Sequence, residues 1–153
     1  LEQRELTARV RELGLMGRVE TAPPVPGPTA LLQAAVDQHA EVGLAFHPPL
    51  SGNFRLATSS KVYEYQVAGL AVCATDVPGN HVILDDQAGV FYPFGDDEKL
   101  AAVLKELAQD RPRLQRLRHR AHQRGRTEFA WESERQRLLA VYDALSKRVE
   151  RRA

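Results

Sequence analysis

A five-residue apolar run, Ala71–Thr75, constrains the fold of this chain more than any other segment. Continuous apolar character over this length is typical of a strand covered on both faces, as in parallel sheets. Residues 60–68 before it have the pattern of a short helix, and Gly69 is suited to a left-handed helix end. Either Ser59 or Ser60 can cap the start of this helix. We therefore predict a helix, a glycine stop and a buried strand.

The same alternation of helix and strand extends through most of the chain. Polar residues 53–59 predict a loop before the central helix, and residues 76–80, Asp-Val-Pro-Gly-Asn, predict a turn after the central strand. Helical patterns also cover residues 2–13 and 29–39. The predicted strands lie near residues 18, 42, 71 and 89. Such alternation indicates right-handed crossovers and a Rossmann-like parallel sheet flanked by helices, which is an α/β fold.

Ligands bind parallel sheets of this kind beyond the carboxyl ends of the strands. The loops that we expect on that edge are 22–28, 47–60, 76–80 and 93–96. The first of these is rich in proline and cannot be a helix interior or a central strand. The sequence therefore predicts a ligand site built from loops that surround the central unit.

Three helices are predicted in the last third of the chain. Asp96 or Asp97 can cap the first, which ends near Asp110. Residues 111–126 form the second and contain seven arginines. These favour a solvated face, although RNA or an anionic membrane is the alternative partner. The last helix, about 132–151, is expected to bury one stripe: Leu138, Tyr142, Leu145 and Val149.

Composition limits the classes of protein to be considered. The chain has 153 residues, 43% hydrophobic and 27% charged, which suits one globular domain. Its net charge of +1 gives no general reason to expect a nucleic-acid partner. One cysteine excludes an intrachain disulfide, and no apolar stretch reaches the length of a membrane span. We expect a soluble, cytoplasmic protein.

The familiar motifs of nucleophilic and metal chemistry are missing from the sequence. There is no glycine-rich phosphate fingerprint, serine elbow or paired metal site. Cys73 lies in the predicted strand and is expected to pack in the core. His119 and His122 are interpreted as surface residues because no carboxylate or cysteine completes a metal shell. His47 and His81 flank the predicted ligand edge; His47 is interpreted as a loop residue, and His81 is the better placed to approach a ligand.

Glu64 is the acidic residue of the central helix. It shares a helical face with Lys61 and Ala68, and it does not occupy the position of a capping-box acid. The residues alone leave two structural roles open, namely interaction with the helix dipole and a surface ion pair with Lys61. Each contributes only a few tenths of a kcal/mol.

The central unit resembles the donor-binding signature of retaining GT-B glycosyltransferases. The similarity is carried by Ser60-Lys61-Val62-Tyr63-Glu64-Tyr65, by Gly69-Leu70-Ala71-Val72 and by Asp76-Val77-Pro78-Gly79-Asn80. It continues through residues 89–93, Gly95-Asp96 and 129–132. The resemblance implies the C-terminal, nucleotide-sugar-binding domain of such an enzyme. It also implies hexosyl transfer from a nucleoside diphosphate sugar, UDP or GDP, in polysaccharide biosynthesis, without a cofactor or required metal.

The resemblance assigns roles to particular residues. Glu64 is expected to accept hydrogen bonds from the ribose hydroxyls, and the start of its helix is expected to bind the diphosphate. The expected donor-binding residues are Glu64, Lys61, Ser60, Asn53 and Ser59. The expected donor or acceptor edge consists of Pro78, Gly79, Asn80 and His81. No catalytic residue is assigned.

Two departures from the family pattern leave alternatives open. Many members carry a second acid eight residues before the position of Glu64, where this chain has Leu56. The family's upstream strands and acceptor half are also missing, so we expect an N-terminally truncated domain that is inactive alone. The alternatives are a noncatalytic module of this fold and a sugar-nucleotide epimerase.

The resemblance also implies how the chain is divided and what it contacts. We expect a partial nucleotide-sugar-binding domain at residues 1–130 and a crossing helix at 131–153. The other expected contacts are an acceptor glycan or lipid reached through a missing N-terminal domain, peripheral membrane association of the full-length enzyme, and self-association through an exposed sheet edge. No nucleic-acid partner is expected.

Overall fold

A computed structural model of the chain describes residues 3–23 and 25–150. It contains eight helices and three strands within those residues. In chain order they are α1 (Gln3–Glu12), α2 (Pro28–Asp37), β1 (Val42–Ala45), α3 (Gly52–Leu56), α4 (Ser60–Val67), β2 (Ala71–Thr75), α5 (Pro78–Ile83), β3 (Gly89–Tyr92), α6 (Asp97–Gln109), α7 (Arg111–Thr127) and α8 (Trp131–Glu150). None of these helices has the length and apolar character needed to cross a membrane.

The chain divides into two compact units, the first ending at Leu31 and the second beginning at Leu32. In the first unit α1 ends before Gly14, which has a positive φ of 66°. The strand predicted at residues 18–21 is wrong, since Val19 makes only an isolated bridge with Met16. Gly17, with φ of 78°, turns the chain so tightly that these two residues meet across it.

The second unit is built on a three-stranded parallel sheet in the order β1-β2-β3. Central strand β2 is buried along its whole length, as its apolar run predicts. It aligns Val42 of β1 with Ala71, and its own Val72 with Gly89 of β3. Among the described residues β1 pairs only with β2, so its other edge is open. The predicted α/β architecture is therefore present with three strands rather than four.

Helices cover both faces of the sheet. One face packs Val62 of α4, Ile83 of α5 and Ala121 of α7 against β2. The opposite face of β2 packs against apolar residues of α6 and of the first half of α7, including Leu107 and Leu114. Each layer is expected to contribute roughly 25 cal/mol for every Å² of apolar surface that it removes from water.

Two short helices replace segments predicted as irregular. The segment predicted as a loop at residues 53–59 overlaps α3, whose start is capped by the Ser51 hydroxyl accepting a hydrogen bond from the Phe54 N–H at 3.3 Å. The predicted turn at 76–80 instead leads into α5, which begins at Pro78. Proline suits this first helical position because its φ is already helical and it lacks an N–H.

The last helix differs from its prediction in burial. Helix α8 has the predicted extent, but Leu138, Tyr142 and Leu145 are 46%, 60% and 51% exposed. The expected buried stripe is therefore wrong for these three residues, because no described element covers them. The side chain of Val149 lies outside the described residues.

Candidate functional site

The carboxyl edge of the sheet brings the loops after β1, β2 and β3 together. The loop after β1 is fixed by hydrogen bonds to Thr75, the last residue of β2. The Thr75 hydroxyl accepts a hydrogen bond from the His47 backbone N–H at 2.6 Å and donates one to the Ala45 carbonyl at 3.2 Å. The His47 ring lies 2.6 Å from the Phe54 carbonyl oxygen through Nε2. No pattern in the sequence predicted that Thr75 would fix the loop after β1.

Helix α4 begins at the same edge because it runs antiparallel to the strands that it connects. Ser59 is its N-cap residue, as predicted, but the buried Ser59 side chain makes no capping hydrogen bond. The first turn closes from the Val62 N–H to the Ser59 carbonyl. The N–H groups of Ser60 and Lys61 have no acceptor among the described residues. This helix start is therefore a positive, unsatisfied end that suits an anion.

Glu64 lies one turn into α4 and is partly exposed. Its carboxylate makes no hydrogen bond or ion pair with any residue that the structure describes, so the surface pair with Lys61, one of the two structural roles left open by the sequence, is not formed. Desolvation by burial raises the pKa of neighbouring Tyr65, and the negative charge of Glu64 raises it further. The carboxylate is thus available to a ligand.

Packing beneath Glu64 fixes the position of α4. The Tyr65 ring fills the space over Gly43, where a Cβ would overlap it, and its hydroxyl donates to the Leu44 carbonyl at 3.4 Å. Buried Gln66 donates to the Ile83 carbonyl at 3.2 Å. Gly69 ends the helix with φ of 71°, as predicted. These contacts hold α4, and with it Lys61 and Glu64, in a fixed position relative to the sheet.

The remaining predicted site residues fall into accessible and buried groups. Asn53 of α3 is exposed and accepts the Ala57 N–H through its carbonyl. Pro78 and His81 are also exposed, whereas Gly79 and Asn80 are buried. The Asn80 amide donates to the Thr75 carbonyl at 2.9 Å. Gly79 packs so closely on the backbone of residues 56–57 that an added Cβ would overlap the Ala57 carbonyl. Gly79 and Asn80 are therefore packing residues of this edge and present no exposed side chain to a ligand.

Cysteine and histidine residues away from this edge have structural surroundings. Cys73 is fully buried, and burial raises the pKa of its thiol to about 11, so it is a core residue as predicted. His119 and His122 are exposed, and the His122 ring lies 3.1 Å from the Val67 carbonyl through Nδ1. Nowhere in the described parts of the chain do three or more potential metal ligands cluster.

The arginines of α7 mostly bind the protein's own carboxylates. Among the described residues, five of the seven have such a partner: Arg111, Arg113, Arg118, Arg120 and Arg124. Arg111 donates two hydrogen bonds to the Glu41 carboxylate, at 2.7 and 2.5 Å, and these lower the pKa of that carboxyl. The side chain of Arg124 is only 9% exposed. The predicted solvated face is therefore wrong for Arg124.

Comparison with known proteins identifies the fold. No protein-family model matches the sequence, and no curated protein matches it significantly. Several solved structures are similar to it, among them the following two. HepE from Anabaena, in complex with UDP, superposes with a TM-score of 0.72 at 17% identity over 92% of this chain. Sucrose-phosphate synthase from Thermosynechococcus elongatus superposes with a TM-score of 0.73 at 20% identity over 95%.

The chain spans about a third of the length of these two proteins, 36% and 35% respectively. At this level of identity the likeness shows the fold, and function has to be argued from the site. It confirms the predicted α/β fold of the GT-B glycosyltransferase type.

Proposed function

We propose that this chain binds a nucleoside diphosphate sugar and forms the donor-binding part of a glycosyltransferase. The observation that carries the proposal is the start of α4, where two free backbone N–H groups, an exposed lysine and an unpaired carboxylate share the ligand edge. A positive helix end suits a diphosphate, and a carboxylate suits a pair of ribose hydroxyls. HepE, which has the same fold, was solved with UDP, which supports a uridine donor over a guanosine one.

Each residue has a defined task in this proposal. The N–H groups of Ser60 and Lys61 donate to diphosphate oxygens, and the Lys61 ammonium adds a charge. Glu64 accepts from both ribose hydroxyls. Asn53 and Ser59 lie in the segment leading into α4 and complete the donor-binding set. No residue is assigned as catalytic.

Hexosyl transfer breaks the bond between the anomeric carbon of the sugar and the diphosphate oxygen. The electron pair of that bond leaves with the diphosphate, while an acceptor hydroxyl bonds to the anomeric carbon and its proton passes to the departing diphosphate. Negative charge therefore develops where the α4 start and Lys61 lie. Preorganised N–H groups stabilise such charge because they need no reorientation during the reaction.

We assign residues 1–130 to the nucleotide-sugar-binding part and residues 131–153, which contain α8, to a segment that crosses to another part of the enzyme. The exposed apolar side chains of α8 support this assignment, since they are available for packing. The acceptor is a glycan or lipid of cytoplasmic polysaccharide biosynthesis. The open edge of β1, beside exposed Leu44 and Phe46, supports self-association of this chain.

A second candidate function is a noncatalytic domain that keeps the fold. It is favoured by Leu56, whose apolar side chain is 73% exposed where the glycosyltransferase pattern carries an acid. Such a domain would still bind the nucleotide through Glu64, so retained nucleotide binding without transfer by the complete enzyme identifies it.

Calorimetric titration of UDP, GDP and ADP into this chain tests the donor site. Replacing Glu64 by Gln keeps the shape but removes the charge, so we expect UDP affinity to fall about tenfold, in line with roughly 1 to 3 kcal/mol for charge-assisted bonds. Glu132→Gln, an exposed first-turn acid of α8, is the matched control and should bind normally. Unchanged UDP affinity with a lower Tm in Glu64→Gln would make Glu64 structural and refute the assignment.

A further inference from the structure

Asp76 and His81 form a hydrogen-bonded pair at the carboxyl end of β2. Their Oδ1 and Nε2 atoms lie 2.7 Å apart. The imidazole also stacks on the Phe91 ring, with centroids 3.9 Å apart and planes 26° from parallel. Two contacts from different elements thus hold a ring whose side chain is still 48% exposed. An exposed side chain with this much support has a fixed orientation.

The pair keeps hydrogen-bonding capacity that the protein does not use. Neither Nδ1 of His81 nor Oδ2 of Asp76 has a hydrogen-bond partner among the described residues. When Nε2 donates to Asp76, the neutral ring accepts through Nδ1. The pair therefore presents two unused acceptors, Nδ1 of His81 and Oδ2 of Asp76, and acceptors of this kind suit hydroxyl groups such as those of a sugar ring.

The surroundings place this capacity beside the donor site. Helix α5, which carries His81, packs directly on the backbone of residues 56–57 through Gly79. The exposed side chain of Leu56 offers no polar atom there, and the buried Asn80 amide donates to Thr75. Of the residues predicted for this edge, His81 is the one whose exposed side chain keeps an unused hydrogen-bonding atom, and Asp76 orients it.

We propose that the Asp76–His81 pair binds hydroxyl groups of the donor's hexose and thereby discriminates a nucleotide sugar from the bare nucleotide. The proposal rests on the donor site described above and adds a specificity-determining residue to it. Glu64 and the α4 start then hold the nucleoside diphosphate, whereas His81, oriented by Asp76, contacts the sugar.

The test compares UDP with UDP-glucose, and GDP with GDP-mannose, by calorimetric titration of this chain. His81→Phe keeps a ring for the stack on Phe91 but removes both nitrogens, and Asp76→Asn removes the charge that orients His81. We expect either change to raise the ratio of the sugar-nucleotide Kd to the nucleotide Kd about 3- to 10-fold, the effect of one lost hydrogen bond. His119→Phe, at an exposed histidine of α7, is the control and should leave the ratio unchanged.

The two proposals fail in different ways. If Glu64→Gln weakens both ligands while His81→Phe and Asp76→Asn leave the ratio unchanged, the donor site stands and the sugar-binding role of the pair is refuted. If neither nucleotide nor nucleotide sugar binds the wild-type chain, both proposals are refuted. Thermal melts of each variant verify folding, and agreement between the two substitutions shows that a change in ratio does not come from one misfolded variant.

Discussion

Helices α4 and α7 pack against each other but differ in how their charges are satisfied. Lys61 and Glu64 of α4 have no ion-pair partner among the described residues, although they lie on one helical face. Most α7 arginines, in contrast, contact carboxylates of neighbouring elements. The difference separates charges that the protein's own side chains neutralise from charges that remain unpaired, and it could not be read from the sequence, which favoured a solvated face for the arginines.

Helix α7 also supports the far end of α4. Gly125 approaches so closely that an added Cβ would lie 2.7 Å from the Val67 nitrogen. Arg118 donates to the Gly69 carbonyl at 3.0 Å, which places a cation at the negative end of α4. The arginine-rich helix therefore contributes to the proposed site indirectly, by holding the helix that forms it.

The largest expected effect is the loss of Arg124. Its guanidinium lies 2.9 Å from Asp85 and 2.8 Å from Glu128 and packs over the Phe129 ring. Arg124→Leu leaves Asp85 and Glu128, both partly exposed, with Arg120 as their one remaining ion-pair partner among the described residues, so we expect a loss of about 1 to 3 kcal/mol in the free energy of unfolding, less than for fully buried pairs. Urea denaturation measures it. Arg126→Leu, exposed on the same helix, is the control and should change stability by less than about 0.5 kcal/mol. Equal losses in both variants would contradict a structural role specific to Arg124.

A smaller effect is expected at Glu41. Its pKa is lowered chiefly by hydrogen bonds from Arg111, so its contribution to stability is present above its usual pKa and lost as the pH falls through the lowered value. Because the pair is partly exposed, we expect Glu41→Gln to cost about 0.5 to 1 kcal/mol at pH 7. Urea denaturation between pH 7 and pH 3 should show wild type and variant converging as the pH falls. A difference that is constant over this range would show that the Glu41 charge is not the source.

The smallest expected effect concerns Arg116 and Arg126, the α7 arginines without an ion-pair partner among the described residues. Reversing both to glutamate should leave UDP affinity within about twofold, since neither lies at the carboxyl edge. The alternative partners are tested by measuring the binding of the wild type and of the double variant to anionic vesicles and to RNA at about 0.15 M salt. If the wild type binds either and the double variant does not, this face of α7 is an interaction surface and the comparison with α4 has to be redrawn.

The central unit was predictable because its signals are local. An apolar run and a glycine stop specify β2 and the end of α4 without help from distant residues. Helices α3 and α5 were missed because the segments are short and polar, and the contacts that secure them come from tertiary packing, such as Gly79 on residues 56–57. The strand predicted near residue 18 does not form for a different reason. Its sequence suits a strand, but among the described residues of its unit no second strand lies beside it.

The site was only partly predictable for a related reason. Spacing along α4 places Lys61 and Glu64 on one face, and this holds in the structure. The hydrogen bond from the Asn80 side-chain NH2 to the Thr75 carbonyl and the pairing of His81 with Asp76 both depend on how the chain turns after β2. The arginines of α7 find carboxylates that lie from 4 to 77 residues away along the sequence. Such partners become visible only when the sheet and helices are assembled.

The close approach at Gly79 has a mechanical consequence. With no side chain between α5 and residues 56–57, the two backbones touch directly, and neither can shift toward the other. A displacement of residues 56–57 toward α5 would therefore press on the backbone of α5, which carries His81. Glycine at position 79 thus couples the segment leading into α4 to α5 for movements that bring the two together.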